Sequence, residues 1–382
     1  MSHLTAAAAR CETKVRPLGI IELCLSDGRG GLEHYAAGLV SALRERGHKA
    51  VVIARAESEF AARAGQPPAL TLRSSRYLPW RGALSVARLA RDADIIHIHR
   101  SADLPLAALA KRFAGNRPTL VYTRHMAITR NRRTSPMHRW LHSQVDLLLV
   151  VTERLAVEAR QRLPLPPERI RVLPLGVGPA PPAADCKSVR PADRAFVVGC
   201  FSRIEPAKGQ HELVAALAKL VERGVDAAAI IAGPAMDTAY ARELEASCKS
   251  LGVAERVRFP GVLADARPSM ACCDAVVMPS AAETFGLVLV EAMQMGVPVV
   301  ASAAGGATEI VSDGETGLTY PVGNVDALAL CLRRLATDPE YAHTLARAGH
   351  RAASERFDRG RHLEGLETLF YEAVKDRNAR LA

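Results

Sequence analysis

The sequence predicts an α/β protein made of two doubly wound domains in tandem. Three observations carry that reading. Short apolar runs rich in β-formers alternate with helical patterns along the chain, as in parallel sheets covered on both faces. A proline-rich stretch without periodicity interrupts the alternation near the middle, after which it starts again. And 382 residues exceed one ordinary core, at roughly 150 residues per domain.

In order, residues 19–25 read as the first strand, a glycine turn follows, and residues 32–46 carry the apolar spacing of a helix. Residues 50–54, 95–99, 119–122, 147–151 and 170–173 are further short apolar strands. Pro179-Ala-Pro-Pro-Ala-Ala-Asp-Cys-Lys-Ser-Val-Arg-Pro191 then has linker composition. Residues 196–201, 228–232, 257–259, 275–278 and 297–301 supply a second set of strands. The predicted boundaries are a first domain over 1–178, a linker over 179–192, a second domain over 193–355 and a C-terminal helix over 356–382. Open parallel sheets bind ligands beyond the carboxyl ends of their strands. Two such sheets on one linker are therefore expected to face each other across a cleft, with the informative residues in the loops after strands.

Composition narrows the classes. Hydrophobic residues at 49% against 24% charged describe a globular chain. Aromatic residues, at 4%, are sparse for stacking on nucleic-acid bases, so nucleic acid is not an expected partner. MSHLTAAAAR holds no apolar core of signal-peptide length, and no run of 18 apolar residues occurs. Eight scattered cysteines show no CxxC or Cys/His metal spacing; the adjacent Cys272 and Cys273 read as buried thiols. The expectation is a cytoplasmic, reduced chain without a metal of its own.

The candidate sites follow strands. Ser26-Asp-Gly-Arg-Gly-Gly31 precedes a helix, and its glycines would let N–H groups approach an anion or simply make a tight turn. It is not GxGxxG, and no acidic residue closes the second strand, which disfavours a nicotinamide dinucleotide. His97 and His99 alternate onto one face of a strand; without a third ligand at convincing spacing they point to hydrogen bonding rather than a metal pair. His125, after the strand at 119–122, is either a site residue or loop filler. In the second half, Arg203 and Lys208 flank a strand-to-helix turn where two cations would converge on phosphate, or lie on a solvated charged turn. Glu283-Thr-Phe-Gly-Leu-Val-Leu-Val-Glu291 follows another strand. The N–H groups of Phe285, Gly286 and Leu287 at a helix start suit a bound phosphate. Glu283 and Glu291 would accept hydrogen bonds from sugar and ribose hydroxyls; the plain alternative, Glu283 only capping the helix and Glu291 only solvated, is weakened by the position of Glu291 inside an apolar run. Ala303-Ala-Gly-Gly306 is one more strand–glycine–helix turn.

Together these segments resemble the retaining glycosyltransferases of family 4, whose fold is GT-B. The matching pieces are Gly30-Gly31, His125, Arg203 with Lys208, the Glu283/Glu291 pair at Glu-x7-Glu, the string GVPVVASAAGGATEIVSDGETGLTYPVGN and the ending from Arg356. The resemblance is specific in the second half and generic in the first. It implies a hexosyltransferase using a UDP-, GDP- or ADP-sugar, with no cofactor or bound metal. It also implies that Arg203 and Lys208 neutralise the leaving diphosphate, and that the N–H groups at Phe285, Gly286, Leu287 and Gly30-Gly31 hold the same phosphates. Glu291 would take the ribose, Glu283 would orient the transferred sugar, and His125 would line its other side. The terminal helix would cross back to the first domain. Sugar-nucleotide 2-epimerases share this architecture and are the alternative chemistry.

The net charge of +10 is local. Between Arg76 and His142 stand 13 basic and 3 acidic residues, and the remaining 37 of each sign balance. Arg130, Arg132 and Arg133 lie there with Trp140, a pairing that suits an anionic membrane surface or a phosphorylated acceptor, as well as a solvated basic face. The acceptor is therefore expected to be a cell-envelope glycan or glycolipid, such as lipopolysaccharide core or a lipid-linked saccharide. A soluble acceptor is the other reading. Location is expected to be cytoplasmic or peripheral on the inner face of the membrane.

Overall fold

The structure is a computed structural model describing residues 16–28, 30–65, 67–72, 79–128, 135–182, 185–191 and 196–381. Seven strands form one sheet: β1 Gly19–Cys24, β2 Lys49–Arg55, β3 Leu70–Leu72, β4 Ile95–Ile98, β5 Thr119–Arg124, β6 Leu147–Val150 and β7 Ile170–Val172. Six form another: β8 Phe196–Phe201, β9 Ala227–Ala232, β10 Val257–Gly261, β11 Ala275–Met278, β12 Val299–Ser302 and β13 Leu318–Tyr320. The orders are β3-β2-β1-β4-β5-β6-β7 and β10-β9-β8-β11-β12-β13. Every neighbouring pair in the second sheet is parallel, as are β2 with β3, β1 with β2 and β4, and β6 with β7 in the first. Each order doubles back at its first strand, so both sheets are doubly wound, as the alternation of apolar runs predicts.

Burial explains the composition of the strands. All six residues of β8 and of β9 are buried, and β8 reads Phe-Val-Val-Gly-Cys-Phe without a polar residue. A strand with a helix layer on each face has no solvent side on which to alternate. The exception is informative: Glu22 sits in the middle of β1, fully buried. The proline of β10, Pro260, is tolerated because that strand is an edge.

The chain divides by contact into two compact units, one reaching to Val121 and taking in the C-terminal residues from Arg377, the other Tyr122–Asp376. Within the second, residues after β7 hold the start of the terminal helix, which begins at Arg359, and the segment leading into it: His362 Nδ1 lies 2.7 Å from the Pro174 carbonyl oxygen, and Val177 N–H donates to the Phe357 oxygen at 2.9 Å. Within the first, Arg377 donates to the Asn116 oxygen at 2.7 Å.

One expectation needs correcting. Cys272 is not a thiol: it is joined to Cys186, 86 residues earlier in the proline-rich stretch, by a disulfide. Arg190 fastens the same segment, donating to the Cys272 oxygen at 3.0 Å and pairing with Asp274 at 2.9 Å. The reading of a reduced chain fails at this pair because short-range cysteine spacing is blind to partners brought together by the fold. Cys273 does remain a buried thiol, its pKa pushed up to about 12 by burial.

Candidate functional site

The order of the second sheet places the site. β8 and β11 are neighbours although 75 residues separate Lys208 from Glu283, and the loops that leave their carboxyl ends meet where the strand order reverses. There Lys208 Nζ donates to Glu283 Oε2 at 2.8 Å, with both side chains largely buried. Ala281 N–H donates to the Ala207 oxygen at 3.0 Å, holding the two loops together. Gly209 makes the approach possible. It has φ of +69°, and a Cβ there would stand 2.0 Å from the Pro279 oxygen. Arg203, on the same turn, instead pairs with Glu205 at 2.9 Å and stays 45% exposed.

After Glu283 the chain turns into the helix Leu287–Gln294. The helix begins two residues later than Phe285. Phe285 packs edge-on against Phe357 with ring centroids 5.7 Å apart. Gly286 caps the helix with φ of +102°, leaving no cap side chain over the N-terminal N–H groups. Glu291 lies half-buried on this helix, and burial pushes its pKa up to about 7; Arg267 pulls it down by less, and Asp265 adds to the rise. Arg267 is itself paired with Asp265 at 2.7 Å.

The turn Gly305-Gly306 backs the same loop. Gly306 N–H donates to the Glu283 oxygen at 2.8 Å, and added Cβ atoms would stand 1.9 Å from the Glu283 oxygen at Gly305 and 2.2 Å from the Thr284 oxygen at Gly306. These glycines are required because two backbones touch there. His125 follows β5 on a half-buried loop. That loop reaches the Glu283 region through Ala127, whose N–H donates to Thr284 Oγ1 at 3.2 Å.

In the other unit, Gly30 precedes the helix Gly31–Glu45, and its N–H donates to Glu33 at 3.0 Å. The fully buried group Glu22, His97 and His99 is the third-ligand arrangement that spacing along the chain does not reveal: Glu22 pairs with His97 across parallel strands. Among the described residues these three could offer a metal ligand atoms within 4.8 Å of one another. They are committed to each other, Glu22 meeting His97 Nδ1 at 3.0 Å and His99 Nε2 at 2.9 Å. Burial would raise the Glu22 pKa, but His97 and then His99 outweigh it and hold the carboxyl at about 2.

Trp140 is half-buried on the helix Pro136–Ser143, where Met137 is exposed. Arg130, Arg132 and Arg133 lie outside the described residues. No helix among the described residues is long and apolar enough to cross a membrane.

Residues 29–180 match the family described as Glycosyltransferase Family 4, and residues 185–352 that described as Glycosyl transferases group 1. A D-inositol 3-phosphate glycosyltransferase from Kribbella flavida is 31% identical over 366 residues, covering 84% of this chain and 85% of that one. This chain belongs to glycosyltransferase family 4. A second relative, the GDP-mannose-dependent alpha-(1-6)-phosphatidylinositol monomannoside mannosyltransferase of Mycolicibacterium smegmatis, is 38% identical over 174 residues, 43% of this chain and 44% of that one. Among solved structures, Anabaena Alr3699/HepE in complex with UDP and glucose aligns with a TM-score of 0.79 and 28% identity, over 93% of this chain and all of that one. The fold is GT-B and the activity of the family is glycosyl transfer.

Two residues that tie these loops together escape sequence reasoning. Thr284 lies inside the quoted motif but is masked by its acidic neighbour. Glu309 follows the Gly305-Gly306 turn, where its type announces nothing; its carboxylate accepts from two backbone N–H groups more than 150 residues away.

Proposed function

We propose that the protein is a retaining, metal-independent hexosyltransferase that moves a sugar from a nucleoside-diphosphate donor to a cell-envelope glycan or glycolipid. The observation that carries this is the Lys208–Glu283 pair at 2.8 Å beside the uncapped start of Leu287–Gln294. It sets a cation and helix N–H groups for the diphosphate next to a carboxylate for sugar hydroxyls. In this reading Lys208, with Arg203 swung from Glu205, takes up the charge that grows on the diphosphate as the glycosidic bond breaks. Stabilising that charge is worth more to the reaction than a nucleophile, because the transition state is oxocarbenium-like. Glu283, oriented by Lys208 and by the Thr284 N–H at 3.1 Å, accepts from the sugar hydroxyls. His125 lines the other side of the sugar, and Glu291 accepts from the ribose.

The similar HepE structure holds UDP and glucose, and the M. smegmatis relative is named for GDP-mannose and a phosphatidylinositol acceptor; both support a nucleotide-sugar donor here. The lipid half of the reading rests on the basic segment. Its helix Pro79–Ala90 exposes Trp80 at 44% and Leu84 at 43%, with exposed Arg81 and Arg88 alongside. That composition suits an anionic bilayer surface. Turnover of a panel of UDP-, GDP- and ADP-sugars, followed by NMR of the product's anomeric configuration in the presence of EDTA, tests the chemistry. An inverted product, or turnover abolished by EDTA, overturns the retaining or metal-independent part; epimerised donor without transfer favours the 2-epimerase.

A further inference from the structure

The helix Glu153–Arg162, which follows β6, has all three of its first free N–H groups occupied. Thr152 Oγ1 accepts from Leu155 N–H at 3.3 Å, an ordinary local cap. The other two are taken from far along the chain: Glu309 Oε2 accepts from Glu153 N–H and Oε1 from Arg154 N–H, both at 2.8 Å. A carboxylate forked onto two N–H groups at the positive end of a helix is a charge-assisted contact of the stronger kind.

Both ends of this fork connect to the proposed chemistry. Glu309 stands three residues past Gly306, whose N–H is bonded to the Glu283 backbone, and Arg356 donates to the Glu309 carbonyl oxygen at 2.6 Å. The helix in turn holds the His125 loop. Glu158 accepts from Ile128 N–H at 3.3 Å, and Arg162 donates to the Ile128 oxygen. Thr284, adjacent to Glu283, bonds the same loop directly at Ala127. The loop that carries His125 is thus fixed to the loop that carries Glu283 along two routes, one through Thr284 and one through Glu309 and the helix.

We propose that Glu309 is a positioning residue for sugar transfer: its carboxylate fork, together with Thr284, sets the His125 loop against Glu283. Glu309 touches neither donor nor acceptor in this arrangement and contributes nothing to nucleotide binding. The inference rests on the role proposed above for His125 and Glu283.

The test is a set of variants assayed with whichever UDP-, GDP- or ADP-sugar the wild-type protein turns over. Glu309→Ala is expected to lower kcat at least tenfold while the calorimetric Kd for the free nucleoside diphosphate stays within twofold. Glu309→Gln keeps one acceptor oxygen and falls between; it also carries the test if the alanine variant does not fold. A purely structural contact would move melting temperature, nucleotide affinity and kcat together. The deciding comparison is made in a His125→Ala background, where Glu309→Ala should add less than a twofold loss because the residue it positions is gone. An undiminished kcat in both Glu309 variants, or the same fold loss with and without His125, overturns the proposal. Wild-type-like turnover in His125→Ala alone overturns the role of His125 instead, and the two failures are thereby told apart.

Discussion

Glu291 offers a test whose size follows from its surroundings. Burial raises its pKa from 4.5 to about 7, so the folded protein holds a proton there more tightly than the unfolded chain does. A raised folded pKa means stability that is fully present below pH 4.5 and lost as pH rises through 7. That difference corresponds to roughly 3 kcal/mol of stability, most of it lost between pH 5 and pH 8. Glu291→Gln removes the titration. Urea unfolding at pH 5 and pH 8 should therefore show the variant gaining on wild type by about that amount at the higher pH.

The same proton governs the ligand. Only the carboxylate accepts from both ribose hydroxyls, and its ionised fraction rises from about a tenth at pH 6 to about nine tenths at pH 8 for a pKa near 7. Wild-type affinity for the nucleoside diphosphate should tighten close to tenfold over that interval. Glu291→Gln, measured by calorimetry against the same nucleotide, should bind more weakly at pH 8 and retain only the pH dependence of the phosphate itself. Parallel pH profiles for wild type and variant would refute both the raised pKa and the ribose role.

Three further outcomes follow from the geometry. Lys208→Ala and Arg203→Ala should each lower kcat/KM by about 2–4 kcal/mol of transition-state stabilisation, and wild-type-like turnover in both would remove the diphosphate assignment. Cys186→Ser opens a loop closed over 86 residues and should cost roughly 2–4 kcal/mol in equilibrium unfolding under non-reducing conditions, a difference that dithiothreitol should abolish. Co-sedimentation should show the protein on phosphatidylglycerol vesicles at low salt but not on phosphatidylcholine vesicles, with Trp80→Ser and Arg88→Glu weakening it; equal binding to both lipids would sink the membrane half of the reading.

What the sequence discloses here divides along a physical line. Strands such as β8 and β11 are legible because burial on both faces leaves an unbroken apolar run, whereas of the three-residue edge strands β3, β7 and β13 only β7 leaves a readable run. Arg203, Lys208, Glu283 and Glu291 are legible as charged side chains in loops or helix starts after strands, where their type is itself the signal. Their pairing is not, since the contact of Lys208 with Glu283 depends on β8 lying beside β11, a neighbourhood created by the crossover and absent from local sequence. Glu22 carried a local warning, a carboxylate inside Gly-Ile-Ile-Glu-Leu-Cys that must find buried partners. Glu309 carried none. Its partners are the backbone N–H groups of Glu153 and Arg154, which every non-proline residue possesses, so no residue type at the far end could have marked the contact. Thr284 meets Ala127 in the same way. Groups that bind a ligand leave a trace in residue type, whereas groups that aim them by grasping backbone leave half of the interaction unwritten. The His125 loop, held largely by such contacts, is accordingly the part of this site where structure adds most to sequence.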